Sequence, residues 1–153
     1  MIDYTKLKQL REETGVSFAL CKKALEQTLN NISEAKKVLT QWGAEQIKKK
    51  SGRSTSQGLL SSYVHHNKKV ASLVELLCET DFVANSEGFV TLGQELALQV
   101  ASMQPTNIEE LLKQSYVRDP SKKIQDLIQD AVLKFGENIK ISRVLCWQLG
   151  SVS

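Results

Sequence analysis

Three short stripes of apolar residues at helical spacing open the chain. Leu7 and Leu10 follow Asp3, a good N-cap, and Thr14-Gly15 stops that stripe. Ser17 can cap a second helix carrying Cys21, Ala24, Leu25 and Leu29. Ser33 can cap a third, with Ala35, Val38, Leu39 and Trp42 inward and Gly43 as the stop. Each stripe is too short to hold a helix alone in water, so the three must pack together. The pattern predicts a three-helix module of the ubiquitin-associated type over residues 1–44. Residues 45–55, with Lys48-Lys49-Lys50-Ser51-Gly52-Arg53, read as a basic linker, helical at most at its start.

The period then changes from helical to alternating. Leu59 to Val64 alternates, Asn67-Lys68 suits a turn, and Val70 to Cys78 is apolar on both faces except at Glu75. A strand of that kind is expected to be central or covered by helices. Thr80 or Asp81 can cap one helical turn before Ser86 opens a helix with Phe89, Leu92, Leu96, Val100 and Met103 on one stripe. Thr106 to Glu109 is a capping box for a short helix reaching about Ser115. Asp119-Pro120 is expected to start another, with Ile124, Leu127, Ile128, Ala131 and Phe135 inward and Gly136 as its stop. Ile139, Ile141, Leu145, Trp147 and Leu149 fit one face of a last strand, with Arg143 the exception. The fold class is therefore α+β. The helical module precedes a core, residues 56–153, of a small, mostly antiparallel sheet covered by helices.

Composition narrows the classes. The chain has 153 residues, 41% apolar and 24% charged, an ordinary globular balance that needs no metal or disulfide staple. Its longest run without Lys, Arg, Asp or Glu is the 14 residues Ser54 to Asn67, rich in Ser and His, so no membrane span is expected. With no apolar leader at the N-terminus, the expected location is the cytoplasm. Cys21, Cys78 and Cys146 are far apart and odd in number, which suits small buried residues in a reducing compartment. The net charge of +3 hides a basic front: residues 1–53 hold 11 basic and 6 acidic side chains, residues 54–153 hold 9 and 11. Such a front could meet an acidic protein, RNA or a membrane surface.

Catalytic signatures are missing. There is no phosphate-binding glycine loop, no dinucleotide fingerprint and no nucleophile elbow. His65-His66 is the only histidine pair, and strand neighbours point to opposite faces, so no shared metal is expected there. Asp81 has no close carboxylate partner for acid–base work. The reading is a binding or regulatory protein, not an enzyme, with no cofactor and no metal. An RNA-binding or ribosome-associated module is the alternative. The basic linker has no interleaved aromatic for base stacking, which makes direct nucleic-acid binding the weaker reading.

Four blocks carry a resemblance. Val74 to Ala84 (Val-Glu-Leu-Leu-Cys-Glu-Thr-Asp-Phe-Val-Ala) is similar to the signature of the elongation factor Ts family, nucleotide-exchange factors of the translational GTPase elongation factor Tu. Leu10 to Gly15 followed by Cys21-Lys22-Lys23-Ala24-Leu25 resembles its N-terminal signature. Tyr63 to Val70 resembles its core hairpin and Gly136 to Ile139 its last helix-to-strand turn. The blocks occur in family order along nearly the whole chain. The chain departs from many relatives in its short stretch between Pro105 and Pro120, in Phe18-Ala19-Leu20 where a Met pair and an Asp are common, and in Ser142-Arg143 where an Arg pair is common.

The resemblance implies a role in translation elongation and protein biosynthesis: binding GDP-loaded elongation factor Tu and releasing GDP without covalent chemistry. It implies that Asp81 and Phe82, with flanking Thr80 and Val83, form a turn that inserts near the partner's magnesium site. It also maps Arg11, Phe18, Ala19 and Lys22 onto partner-contact positions, and has His65 and His66 assist from the core. The apolar last strand, an edge that a second copy would cover, adds self-association as a homodimer.

Overall fold

The computed structural model describes residues 1–151 and has the α+β architecture expected from the sequence. Its contacts divide it into two compact units. One is Met1–Gly52 with Gln129–Glu137; the other is Arg53–Ile128 with residues 138–151.

The first unit holds α1 (Tyr4–Thr14), α2 (Phe18–Gln27), α3 (Ile32–Lys50) and the second half of α7 (Ile124–Phe135). Asp3 caps α1 by accepting the amides of Thr5 and Lys6, and Gly15 ends it at φ 69°, donating to the Arg11 carbonyl at 2.8 Å. Ser17 caps α2. The cap of α3 is Asn31 rather than Ser33, its side chain accepting the Glu34 amide at 3.1 Å. Leu7, Leu10, Cys21, Ala24, Leu25, Ala35, Leu39 and Leu133 close one core. Each large apolar side chain buried there contributes roughly 1.5–3 kcal/mol relative to its exposed state.

Gly43 does not stop α3. It is buried within the helix, and a Cβ there would lie 3.1 Å from the Gln129 carbonyl oxygen, so glycine serves close approach of two backbones. The helix accordingly runs on through Lys48-Lys49-Lys50, six residues into the expected linker. Three lysines in a last turn complement the negative helix end.

The second unit is built on a sheet of order β1-β2-β5, formed by Gln57–Val64, Val70–Cys78 and Lys140–Gln148, with both pairings antiparallel. The β1–β2 turn passes through Lys68 at φ 61°, where the sequence placed it. Helix α5 (Glu87–Met103) lies across one face. Ser72 Oγ donates to the Ala97 carbonyl at 2.6 Å, and a Cβ on Gly93 would lie 2.7 Å from a Leu59 methyl. Phe89, Leu96, Val100, Val74, Leu76 and Ile141 are buried. Strand β2 is central, as expected, with α5 against one face and Leu73 exposed on the other.

Two expectations for the second half of the chain are corrected. Asp119-Pro120 does not begin a helix. Asp119–Lys123 is a strand, β4, paired with β3 (Ser115–Tyr116), and the short helix α6 before them is Ile108–Lys113. Asp119 faces Tyr116 across the Val117-Arg118 turn, and proline is tolerated in such an edge ribbon. Helix α7 starts only at Ile124, where the Asp126 carboxylate reaches back to the Lys123 amide at 2.9 Å.

The last strand also does not present one apolar face. Leu76 pairs with Ile141 but Glu75 with Arg143, so Ser142 is an extra residue, a β-bulge. Before it, Ile139 and Ile141 point into the core. After it the faces exchange, leaving Leu145 45% and Trp147 65% exposed.

Candidate partner-binding site

Strand β2 delivers the chain to the most exposed aromatic side chain among the described residues. Cys78 ends the strand and its thiol donates to the Thr80 carbonyl at 3.2 Å. Thr80, extended at φ −122°, caps the single turn α4 (Asp81–Ala84) by accepting the Val83 amide on Oγ1 at 3.3 Å. Val83 and Ala84 are buried. Asp81 and Phe82 point outward, and Phe82 is 84% exposed. Val83 thus anchors the turn from below, and of the four residues expected here, Thr80, Asp81 and Phe82 form the surface. Phe82 thus stands in water on a turn whose backbone is held at both ends. Ser86 closes the segment, donating to the Val83 carbonyl at 2.7 Å and capping α5.

The residue before the cap is also held. Glu79 Oε2 accepts the Asn138 amide at 2.7 Å and lies 3.5 Å from Arg53 Nη1. Asn138 Nδ2 in turn donates to the Arg53 carbonyl at 2.9 Å. Sequence reading noted Glu79 and Asn138 only as motif letters, because contacts across 59 positions leave no periodic signal.

In the first unit, Phe18, Ala19 and Lys22 lie on α2 at spacings that place them on one side of the helix. Phe18 is 46% exposed and Ala19 is exposed, an apolar step beside the cation of Lys22, whose ammonium lies 4.0 Å from Glu26. Arg11 is exposed in the last turn of α1.

His65 and His66 are not part of the α4 turn. They sit at the β1–β2 tip, at the opposite end of β2, roughly 25 Å away at about 3.3 Å per strand residue. Nor do their rings diverge as strand neighbours would. Strand β1 ends at Val64, and on the turn the ring centroids come to 4.1 Å, with Tyr63 Oη 3.1 Å from His65 Nδ1.

The outer sheet face is a second exposed surface. Leu60, Leu73, Leu145 and Trp147 stand on it in cross-strand rows, and the Glu75–Arg143 ion pair lies beside them at 3.1 Å. Hydrogen bonds from Ser142 and then Arg143 hold the Glu75 carboxyl below the usual range. Burial raises the Cys21 and Cys146 thiols, which suits space-filling side chains more than nucleophiles. Among the described residues no three His, Cys, Asp or Glu side chains gather as a metal site, and no helix is long and apolar enough to cross a membrane.

Comparison with known proteins adds to this geometry. A family profile described as Elongation factor TS matches residues 79–152. The chain is 38% identical to elongation factor Ts of Coprothermobacter proteolyticus, over 97% of this chain and 98% of that protein. It is 34% identical to that of Thermosipho melanesiensis, over 98% and 100%. It is 40% identical to the longer elongation factor Ts of Clostridium botulinum, over 94% of this chain and 47% of that protein.

Proposed function

The chain belongs to the elongation factor Ts family, a family of translation elongation factors, and on that premise we propose that it is a guanine-nucleotide exchange factor that binds GDP-loaded elongation factor Tu and promotes GDP release. The observation that carries the proposal is Phe82, 84% exposed on a capped turn inside the family's signature. In this reading the protein makes no covalent bond. Asp81 and Phe82 enter the GTPase beside its magnesium ion. That ion demands near-ideal octahedral geometry and depends on few protein ligands plus phosphates and waters. A wedge that shifts a neighbouring element weakens the ion and then the phosphates. Every tenfold of acceleration requires about 1.4 kcal/mol less barrier. By linkage, the factor weakens GDP by the same ratio as GDP weakens the factor.

Arg11, Phe18, Ala19 and Lys22 supply a second contact in this reading. His65 and His66, at the far end of β2, reach a different part of the partner from the wedge. A second copy of the chain is the occupant that the outer sheet face fits. That face is apolar, ends on the edge strand β5, and carries the Glu75–Arg143 ion pair, whose opposite charges can complement each other about a twofold axis.

Phe82→Ala tests the wedge. At saturating factor the expected GDP-release rate falls at least tenfold while the melting temperature holds within a few degrees. An unchanged rate, or a collapse of the fold, contradicts it.

A further inference from the structure

We propose that Glu79 is a positioning residue for nucleotide exchange: its carboxylate aims the Asp81-Phe82 wedge by tying the start of the turn to Asn138 and Arg53. The inference rests on the exchange reading above.

The three residues form a closed ring. Glu79 Oε2 takes the Asn138 amide at 2.7 Å, Asn138 Nδ2 donates to the Arg53 carbonyl at 2.9 Å, and Arg53 Nη1 returns to Glu79 Oε2 at 3.5 Å. Each member lies on a different segment: the approach to β1, the turn into α4 and the turn into β5. Asn138 is buried, and the Glu79 side chain is only 20% exposed. A charged acceptor at 2.7 Å is among the stronger hydrogen bonds a protein makes. Three residues further on, Phe82 stands in solvent. A one-turn helix is too short to fix its own direction. The aim of Phe82 therefore depends on what holds the turn around it, and at its entry the Glu79 ring adds to the Thr80 cap and the buried Val83. Misplacing a group by about 1 Å can cost a hundredfold in a positioned process, so a clamp of this kind acts on rate more than on affinity.

The split between rate and affinity is the test. Glu79→Met keeps the volume and removes the acceptor; Glu79→Gln keeps an acceptor for the Asn138 amide and removes the charge opposite Arg53. GDP release from elongation factor Tu is measured against factor concentration for wild type and both variants, with thermal melting alongside. The expected result is a maximal rate about tenfold lower for Glu79→Met, a half-saturating concentration within threefold of wild type, and recovery to within threefold of the wild-type rate in Glu79→Gln. Loss of cooperative melting in Glu79→Met, or a rise in half-saturation matching the fall in rate, shows a structural role and overturns the proposal. So does a wild-type rate in Glu79→Met. If the wild-type protein itself releases no GDP, the exchange reading fails instead, and the two failures are told apart.

Discussion

Thr80 Oγ1 accepts the amide of Val83 at 3.3 Å, which ties the start of the α4 turn to the residue that enters the core. It holds Val83 against the core while Phe82, one residue earlier, is turned into solvent.

Removing that cap has a local expected effect. Thr80→Ala should cost about 0.5–2 kcal/mol of stability, the usual range for an N-cap, and lower the exchange rate; Thr80→Ser should restore both. Chemical denaturation paired with GDP release checks this. A Thr80→Ala protein with wild-type exchange would show that the turn needs no cap.

The glycine near the start of β1 is a stricter constraint. Gly58 sits at φ 155°, and a Cβ there would lie 2.1 Å from the Leu76 carbonyl oxygen. Gly58→Ala should therefore destabilise by at least about 2 kcal/mol, combining backbone strain and overpacking. In a chain of this size that is roughly a 5 °C drop in melting temperature. A melting curve superimposable on wild type would contradict the register given for β1 and β2.

How far the sequence carries can be judged at single positions. The caps Asp3 and Ser17, the turn at Lys68 and the α5 stripe were legible because each depends on residues within a few positions of itself. Ser33, Gly43 and Asp119-Pro120 differ from the expectation where a local signal has two uses. Gly43 signals a helix end or a close approach, and Gln129, 86 positions away, chooses the second. The exchange of faces in β5 depends on one extra residue, Ser142, opposite Glu75, which alternation alone cannot reveal. At the candidate site, the motif residues were legible and the exposure of Phe82 is what the family resemblance implied. The ring that holds its entry was not, because it joins Arg53, Glu79 and Asn138 from three separated segments.

The exchanged face makes its own prediction. Leu145→Glu places a charge in the middle of the apolar rows and should convert a self-associating protein to monomer without lowering its melting temperature by more than a few degrees. Light scattering over a concentration series reads the mass. If wild type already stays at the mass of one chain at the highest concentration, the twofold pairing is wrong.

Alkaline pH probes the other unusual hydroxyl. Burial first, then its hydrogen bond to Glu95 Oε2 at 2.5 Å, pushes the Tyr116 phenol up to about 12. The folded state thus keeps that proton longer than the unfolded chain, whose tyrosine titrates near 10. The stability this contributes is complete below about pH 10 and is lost as pH rises through about 12. The stability gap between wild type and Tyr116→Phe should therefore shrink over that window. Denaturation midpoints for both proteins from pH 8 upward measure it, and a gap independent of pH would refute the assignment.

The central claim is exchange, and one trace tests it. Elongation factor Tu loaded with fluorescent GDP is mixed with excess unlabelled GDP, with and without saturating amounts of this protein. Release accelerated by at least tenfold, with the gain lost on Phe82→Ala, is the predicted result. A trace that the protein leaves unchanged with its cognate GTPase would contradict the account.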